Sequence, residues 1–477
     1  MSTNISRRKV VAGAAWAAPV VAASAAVPAF AASSEPCKYA AAPKFNISGQ
    51  PSGAKDTVKF TVPAKVDSIR FEVAGGAGGG SAQVAGGSGA LVTGEIPVKA
   101  GQVIELVAAA GGVAYLASEP GVDSPALWQT RPATGGKGYG NGGDVNEQPV
   151  PADAKARVDA NWSKPSDMKR YLYGGSGGGS SALIIDGTPI AVAGGGGGAG
   201  IRTQPGTNNM PSNSKYYNPK AVDASTTRLS DPDVKSVLPA GASASAATGD
   251  SAETSISHYT VLKPFASDRT AMKVAGGNGG GNGQGGAGGE QPMLYNDKAN
   301  VYAVLGFTSQ NKQELFSSAT AGDKGGSGFD GKGADGVFAY SYQIDNNDIS
   351  KLEIVHATNP VNLKDTTSLD KDSTLKSFNG YQTVVSAGGG AGYGGGGSGA
   401  ARALSSIITS QKWNGNEEPT RYRQNVSALL QAGAGGAGGS FVAPSVAEGT
   451  ITSANNAAKQ SGVRNPGYVK VTLCERA

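Results

Sequence analysis

The sequence predicts an all-β fold, a sandwich from which ordered glycine tracts extend, on the basis of two observations. Apolar and polar residues alternate with period two over much of 57–107, as in a half-buried antiparallel sheet. Short apolar strands run directly into glycine-rich tracts without any fixed spacing, which excludes a solenoid. The copies lie at 69–80, 189–200, 271–281 and 383–392, with a weaker one at 103–112. The repeated junction of strand and tract predicts several strands of one sheet, each leading into the same second structure.

The strands follow from the alternation, taken in chain order. Val58, Phe60 and Val62 share one face, and the apolar residues of 69–73 share the next. Asp186-Gly187 supplies the positive-φ turn of a hairpin over 183–192.

Toward the C-terminus, 337–344 and 351–355 predict a second strand pair. The closing strand, 468–473, places Val469, Val471 and Leu473 inward. One short helix is predicted over 418–430. These segments supply enough strand for two sheets.

The glycine tracts are either flexible linkers or ordered helices. Glycine costs roughly 0.5–1 kcal/mol relative to alanine in a regular element, so an ordered tract needs compensation. Left-handed helices of the polyproline type, three residues per turn, provide it when several pack together and hydrogen-bond through their backbones. We favour the ordered bundle, because a linker has no reason to follow a strand each time. An aromatic such as Tyr393 must then point out of the bundle.

Long polar inserts interrupt the strands, near 113–170, 201–268, 291–323 and 402–430. They carry isolated aromatics, the candidate binding residues Trp128, Trp162, Tyr216, Tyr217 and Trp413. Loop aromatics on a rigid scaffold are typical of binding surfaces. Local anchoring of the loop explains them equally well.

The first 31 residues predict a signal peptide. Arg7 and Arg8 precede an alanine-rich apolar stretch, and a small-x-small site places cleavage between Ala31 and Ala32. The paired arginines favour the twin-arginine route, and a general secretory signal is the alternative. Residues 32–477 then form a single large domain, secreted or associated with the cell envelope, with no later membrane span.

Charge and cysteine content narrow the function classes. The net charge of +5 includes three leader bases, and the near-neutral remainder has no electrostatic footprint for nucleic acid. Cys37 and Cys474 lie at opposite ends of the mature chain. In an exported protein they predict a disulfide that joins the two ends of the domain. Two free surface thiols are the alternative.

No catalytic machinery, cofactor motif or metal cluster is recognisable. The two histidines, His258 and His356, stand alone and are predicted to be surface or packing residues. The segment 325–333 approximates a calcium repeat that would use Asp330 and Asp335. Lys332 occupies its apolar position and the motif occurs once, so a turn is preferred.

These residues together resemble a known family. Strand-Ala-Gly-Gly units framed by 60–63, 93–102 and 467–472 are similar to the glycine-rich domain of the anaplastic lymphoma kinase and leukocyte tyrosine kinase receptors and its bacterial secreted relatives. The resemblance spans most of 55–473. It implies a jelly-roll β-sandwich of the tumour-necrosis-factor type carrying polyglycine II helices. The kinase and membrane portions of those receptors have no counterpart here.

The leading functional hypothesis is a non-enzymatic surface protein that presents loops for adhesion or for binding an extracellular protein or glycan. A structural cell-envelope or self-assembling coat protein is the first alternative. A secreted hydrolase with an unrecognised site is the second.

Overall fold

The computed structural model is all-β with almost no helix. It describes residues 37–80, 85–115, 131–152, 155–156, 168–203, 221–223, 252–257, 269–292, 314–316, 318–344, 354–355, 360–361, 380–412 and 421–476. The strands are β1 Lys38–Tyr39, β2 Phe45–Ser48, β3 Asp56–Thr61, β4 Val66–Ala74, β5 Ala90–Pro97, β6 Val103–Ala108, β7 Met168–Tyr173, β8 Ser181–Ile185, β9 Thr188–Ala193, β10 Ile201–Thr203, β11 Ala221–Asp223, β12 Ala252–Ser257, β13 Arg269–Val274, β14 Glu314–Phe316, β15 Ser318–Thr320, β16 Phe338–Ile344, β17 Ile354–Val355, β18 Pro360–Val361, β19 Gly380–Val385, β20 Ala401–Lys412, β21 Arg421–Ala432, β22 Phe441–Val442, β23 Ala447–Ser453 and β24 Tyr468–Glu475.

A first sheet pair contains both ends of the described chain. One sheet has the order β1-β24-β4-β5-β23, with β2 also paired to β24, and the other has the order β22-β9-β8-β6-β3. One apolar cluster joins the two sheets, with Phe71 and Val471 from the first and Leu106 and Leu183 from the second. Burying a side chain of this size contributes about 1.5–3 kcal/mol. We call this unit the terminal sandwich.

A second sheet pair is built from strands later in the chain. Its sheets have the orders β11-β10-β21-β20-β15 and β14-β16-β19-β7, and β19 and β7 run parallel. Leu172, Val384 and Leu430 belong to the apolar cluster between them. Two further pairs, β12-β13 and β17-β18, stand apart from these sheets. We call this second unit the insert-bearing sheets, because most of the predicted inserts join its strands.

Several sequence predictions are confirmed. The apolar residues of 69–73 are buried, as are Val469, Val471 and Leu473. The hairpin β8-β9 turns at Asp186 and Gly187, whose φ angles are 48° and 81°. Both positive angles fit the two-residue turn that matches the twist of a hairpin. The jelly-roll topology stays a prediction.

Three sequence predictions are wrong. The strands that run into the glycine tracts do not belong to one sheet, because β4, β9, β13 and β19 lie in four separate sheets. The segment 337–344 does not pair with 354–355, the described part of the predicted strand 351–355, since β16 lies between β14 and β19 and β17 pairs with β18. No helix forms over 421–430, because β21 is a strand paired with β20 along its whole length. Alternating apolar residues such as Val426 and Leu430 suit a strand as well as a short helix, and pairing with β20 decides between them.

Candidate functional site

The glycine-rich tracts are ordered and hydrogen-bonded to one another, and we call them together the glycine lattice. The tracts lie at 75–80, 85–89, 109–114, 134–144, 174–180, 194–200, 275–289, 322–336, 387–400 and 433–440. Several continue a strand directly, as Gly75 follows β4 and Gly194 follows β9. The lattice therefore lies where the strands of both sheet pairs end.

The tract at 175–180, which we call the central tract, has every backbone polar group bonded. Gly175 and Gly178 donate their N–H groups to the tract 196–199, and each remaining donor and acceptor follows the same three-residue interval. The N···O distances lie between 2.7 and 3.1 Å. The other partners lie in the tracts 76–79, 110–113, 136–143 and 388–391. The central tract is enclosed on all sides by backbone.

Neighbouring tracts run in both relative directions. From 194–200, Gly196 and Ala199 donate to Gly76 and Gly79, so this pair of tracts is parallel. Gly195 and Gly198 donate to Ala391 and Gly388, so that pair is antiparallel. The three-residue interval is the same in each case, whereas a β-strand repeats every two residues.

Close approach explains why glycine is needed in the lattice. A Cβ added at Gly195 would overlap the carbonyl oxygen of Gly178, and one added at Gly196 would overlap that of Gly87. Neither residue has a positive φ, so contact with neighbouring backbone is the constraint. Side chains are accommodated where they bond or fit: the Oγ atom of Ser180 accepts from the Gly140 N–H at 2.8 Å, and Ala77 is fully buried.

An aromatic cluster closes one end of the lattice, where tracts turn back. Tyr393 precedes Gly394, whose φ is 82°, and its ring stacks on Phe329 with centroids 4.7 Å apart. Phe441 meets Phe329 edge-on at 5.0 Å. All three are half-buried, and Phe329 and Phe441 pack on an apolar cluster of the terminal sandwich. The Tyr393 ring also lies beside Gly283, so it packs against a turn of the lattice.

The terminal sandwich is tied by the bond predicted from the sequence. Cys37 and Cys474 form a disulfide with their Cα atoms 5.3 Å apart. Beside it, Tyr39 pairs with Cys474 in the β1-β24 ladder, and its hydroxyl lies 2.9 Å from the Ser68 Oγ. Burial, with a smaller contribution from Glu95, raises the pKa of Tyr39 to about 12, so it stays protonated at neutral pH.

The insert-bearing sheets bury a cation. Arg402 is 2% exposed and donates to the Oε1 atom of Gln431, its cross-strand partner in β20-β21. Burial lowers the pKa of Arg402 to about 9. The group is still charged at neutral pH, because even this value lies well above 7. Because Arg402 bonds to its partner within the β20-β21 ladder, we assign it a structural role.

The calcium-like segment has other partners. Asp335 accepts from the Lys332 Nζ at 2.7 Å and from the Asp144 N–H at 2.8 Å. Asp330 is exposed and directly follows Phe329 of the aromatic cluster. Within the part of the chain that the structure describes, no group of three or more His, Cys, Asp or Glu is placed to hold a metal ion.

The remaining predicted site residues lie outside the described ranges. These are the export and cleavage residues Arg7, Arg8, Ala31 and Ala32, the loop aromatics Trp128, Trp162, Tyr216, Tyr217 and Trp413, and the histidines His258 and His356. Sequence reasoning missed the central tract, which none of the predicted strand-to-tract copies includes. It also missed the tract 134–144 inside a predicted polar insert. Its Gly-Gly-Lys-Gly-Tyr-Gly-Asn-Gly-Gly pattern was the available signal.

No protein-family model and no curated protein matches this chain. Among the described residues, no helix is long and apolar enough to cross a membrane.

Proposed function

We propose that this chain is a secreted, non-enzymatic surface protein in which the lattice and the sheets hold loops in place for adhesion or for binding an extracellular protein or glycan. The observation that carries the proposal is how three stretches of the predicted inserts, 204–220, 258–268 and 413–420, are mounted. Each lies between paired residues of adjacent antiparallel strands: Thr203 with Ala221, Ser257 with Arg269, and Lys412 with Arg421.

The strands that carry these inserts continue glycine tracts. β10 follows 194–200, β13 precedes 275–289, and β20 and β21 flank 387–400 and 433–440. A loop fixed at both ends to a rigid base loses less freedom when it binds, so less affinity is lost to ordering. This mounting supports presentation of Tyr216, Tyr217 and Trp413.

We infer further that the tracts are left-handed helices of the polyglycine II type. A helix with three residues per turn presents equivalent backbone groups every third residue, which accounts for the interval in the hydrogen bonds. It also allows parallel and antiparallel neighbours around one tract. NMR chemical shifts of the carbonyl and Cα carbons of the glycines in the central tract test the helix type. Values typical of the polyglycine II conformation are expected.

Kinship with the glycine-rich domain of the anaplastic lymphoma kinase and leukocyte tyrosine kinase receptors is likewise our proposal. Two features support it, namely strands that continue directly into glycine tracts and the packed sheets of the terminal sandwich. Receptor signalling is not carried over.

The extracellular location rests on the leader and the disulfide. Replacing Arg7 and Arg8 together by lysine should retain the precursor in the cytoplasm, because the twin-arginine route reads the arginine pair. Immunoblots of culture medium and cell fractions measure this. Normal secretion of the double variant contradicts the twin-arginine route.

The loop proposal has a direct test. Because each insert ends on paired residues, 204–220 and 413–420 can each be replaced by an Asn-Gly hairpin turn without changing the strand register. Fluorescently labelled protein is measured on whole bacterial cells and on isolated cell-wall glycan. We expect binding by the wild type and its loss in one or both variants.

The matched control is the same replacement over 258–268, which carries none of the predicted binding aromatics. It should fold and bind as the wild type does. Equal binding by all the variants contradicts the proposal, as does the absence of binding by the wild type to either surface.

The coat alternative makes a different prediction for the same preparations. A self-assembling coat grows without limit as concentration rises, so light scattering should increase steeply. A particle of fixed small size favours the loop-presenting protein.

A further inference from the structure

The tract at 275–289, which we call the edge hairpin, lies on the outside of the glycine lattice. It folds back at Asn282 and Gly283, and its two arms bond to each other through Gly281 and Gln284. Further bonds join it to the tracts 322–328, 394–400 and 434–437. Unlike the central tract, it is not enclosed.

Open backbone groups follow the hairpin at the three-residue interval. Within the described chain, neither the N–H nor the C=O of Gly279, Gly285 or Gly288 has a hydrogen-bond partner. All three residues are half-buried rather than covered, and Gln284 and Ala287 beside them are exposed. The edge hairpin therefore presents donors and acceptors from the same residues.

The edge hairpin also lacks charge. No Lys, Arg, Asp or Glu occurs from 275 to 289. The neighbouring outer tract, 322–336, carries Asp323, Lys324, Asp330 and Lys332, all exposed. Charged residues on a sheet edge prevent pairing with another chain, and an uncharged edge of open backbone groups invites it. The same physics applies to an edge of the lattice.

We propose that the edge hairpin is a docking surface for the edge hairpin of a second copy of this chain, backbone against backbone. The occupant follows from self-complementarity, because a two-fold contact requires one patch to offer both donors and acceptors. Within the chain, Gly177 already uses both of its groups toward one neighbouring tract, since it donates to Gly143 and accepts from Gly136. A hairpin without charge meets its own copy without repulsion. The contact extends the packing that already joins the tracts within one chain.

The test introduces a charge on the exposed face of the edge hairpin. Ala287→Lys places like charges against each other across a two-fold contact, and its side chain starts from an exposed position. The matched control is Ser327→Lys, the same charge on the exposed, already charged neighbouring tract. Sedimentation equilibrium of the intact mature protein from low to high micromolar concentration gives the mass of each.

We expect the wild type and Ser327→Lys to pass reversibly from one copy to two. Ala287→Lys should dimerise roughly tenfold more weakly or not at all, a loss of about 1.4 kcal/mol per factor of ten. Equal melting temperatures show that Ala287→Lys remains folded.

Three results overturn the proposal: a wild type that stays monomeric throughout, a dimer that Ala287→Lys leaves unchanged, or growth beyond two copies. Replacing the 204–220 or 413–420 insert should not alter the dimer, so this test is independent of the loop-binding proposal. Amide exchange adds a local readout, since Gly279, Gly285 and Gly288 should slow with concentration while the central tract does not change.

Discussion

The central tract and the edge hairpin are both made almost wholly of small residues, yet they occupy opposite positions in the glycine lattice. Each N–H and C=O from 175 to 180 is bonded, whereas Gly279, Gly285 and Gly288 bond through neither group to any residue that the structure describes. A glycine-rich segment is thus ordered by its backbone neighbours and not by its composition. Buried backbone groups without partners are costly, so full enclosure is where the lattice gains most of its stability.

We expect the largest loss of stability when methyl groups are added inside the enclosed part of the glycine lattice. Replacing Gly195, Gly196 and Gly197 by alanine places each Cβ against a carbonyl oxygen of another tract. At 1–3 kcal/mol for each overpacked site, about 3–9 kcal/mol of folding free energy is lost. Urea titration followed by circular dichroism measures the loss.

The control for that variant is Gly187→Asn in the β8-β9 turn. No heavy atom lies within 4 Å of a Cβ there, and asparagine tolerates the positive φ of 81°. It should change stability little. Comparable losses in both variants indicate that backbone conformation, and not close packing, limits the substitution.

The next effect concerns the terminal sandwich. Cys37→Ser opens a bond that spans 437 residues and joins the paired strands β1 and β24. In the chain-entropy account, so long a loop contributes about 6 kcal/mol. A lower melting temperature is expected, with the reduced wild type melting like the variant. Two alkylatable thiols in natively secreted protein contradict the bond.

A smaller and more local effect is expected at the aromatic cluster. Tyr393→Ala removes a half-buried ring that stacks on Phe329, and should cost about 1–3 kcal/mol. Exchange should accelerate at the turns near Gly283 and Gly394 while the central tract stays protected. Tyr393→Phe keeps the ring contacts and serves as the control. Uniform acceleration across the lattice would mean that the cluster supports the whole lattice.

Much of the architecture could be predicted from the sequence, because period-two alternation and the strand-to-tract junctions are local signals. The burial of Phe71 and Val471 and the Asp186-Gly187 turn follow from such signals. The Cys37–Cys474 pair follows instead from the predicted export and from the presence of two cysteines. The insert-bearing sheets could not be predicted. Their pairings, such as β16 with β19, join segments that are separated in sequence by residues 345–379, and no local pattern specifies that partner.

The same limit applies to the lattice. Composition identifies glycine tracts, but the tracts 275–289 and 175–180 have similar compositions. Only their neighbours in space show that the first lies at the edge of the lattice and the second at its centre. The 134–144 tract shows the opposite case, a lattice tract that composition does not identify. Lys137, Tyr139 and Asn141 give it the composition of a polar loop. Its Gly136 and Gly143 nevertheless bond into the lattice.

Residue-resolved amide hydrogen exchange at low protein concentration tests the central claim most directly. The account predicts strong protection from 175 to 180, where opening requires several tracts to separate, and fast exchange at Gly279, Gly285 and Gly288. Free exchange throughout 175–180, or equal protection in both segments, would contradict an ordered lattice with an enclosed centre and an open edge.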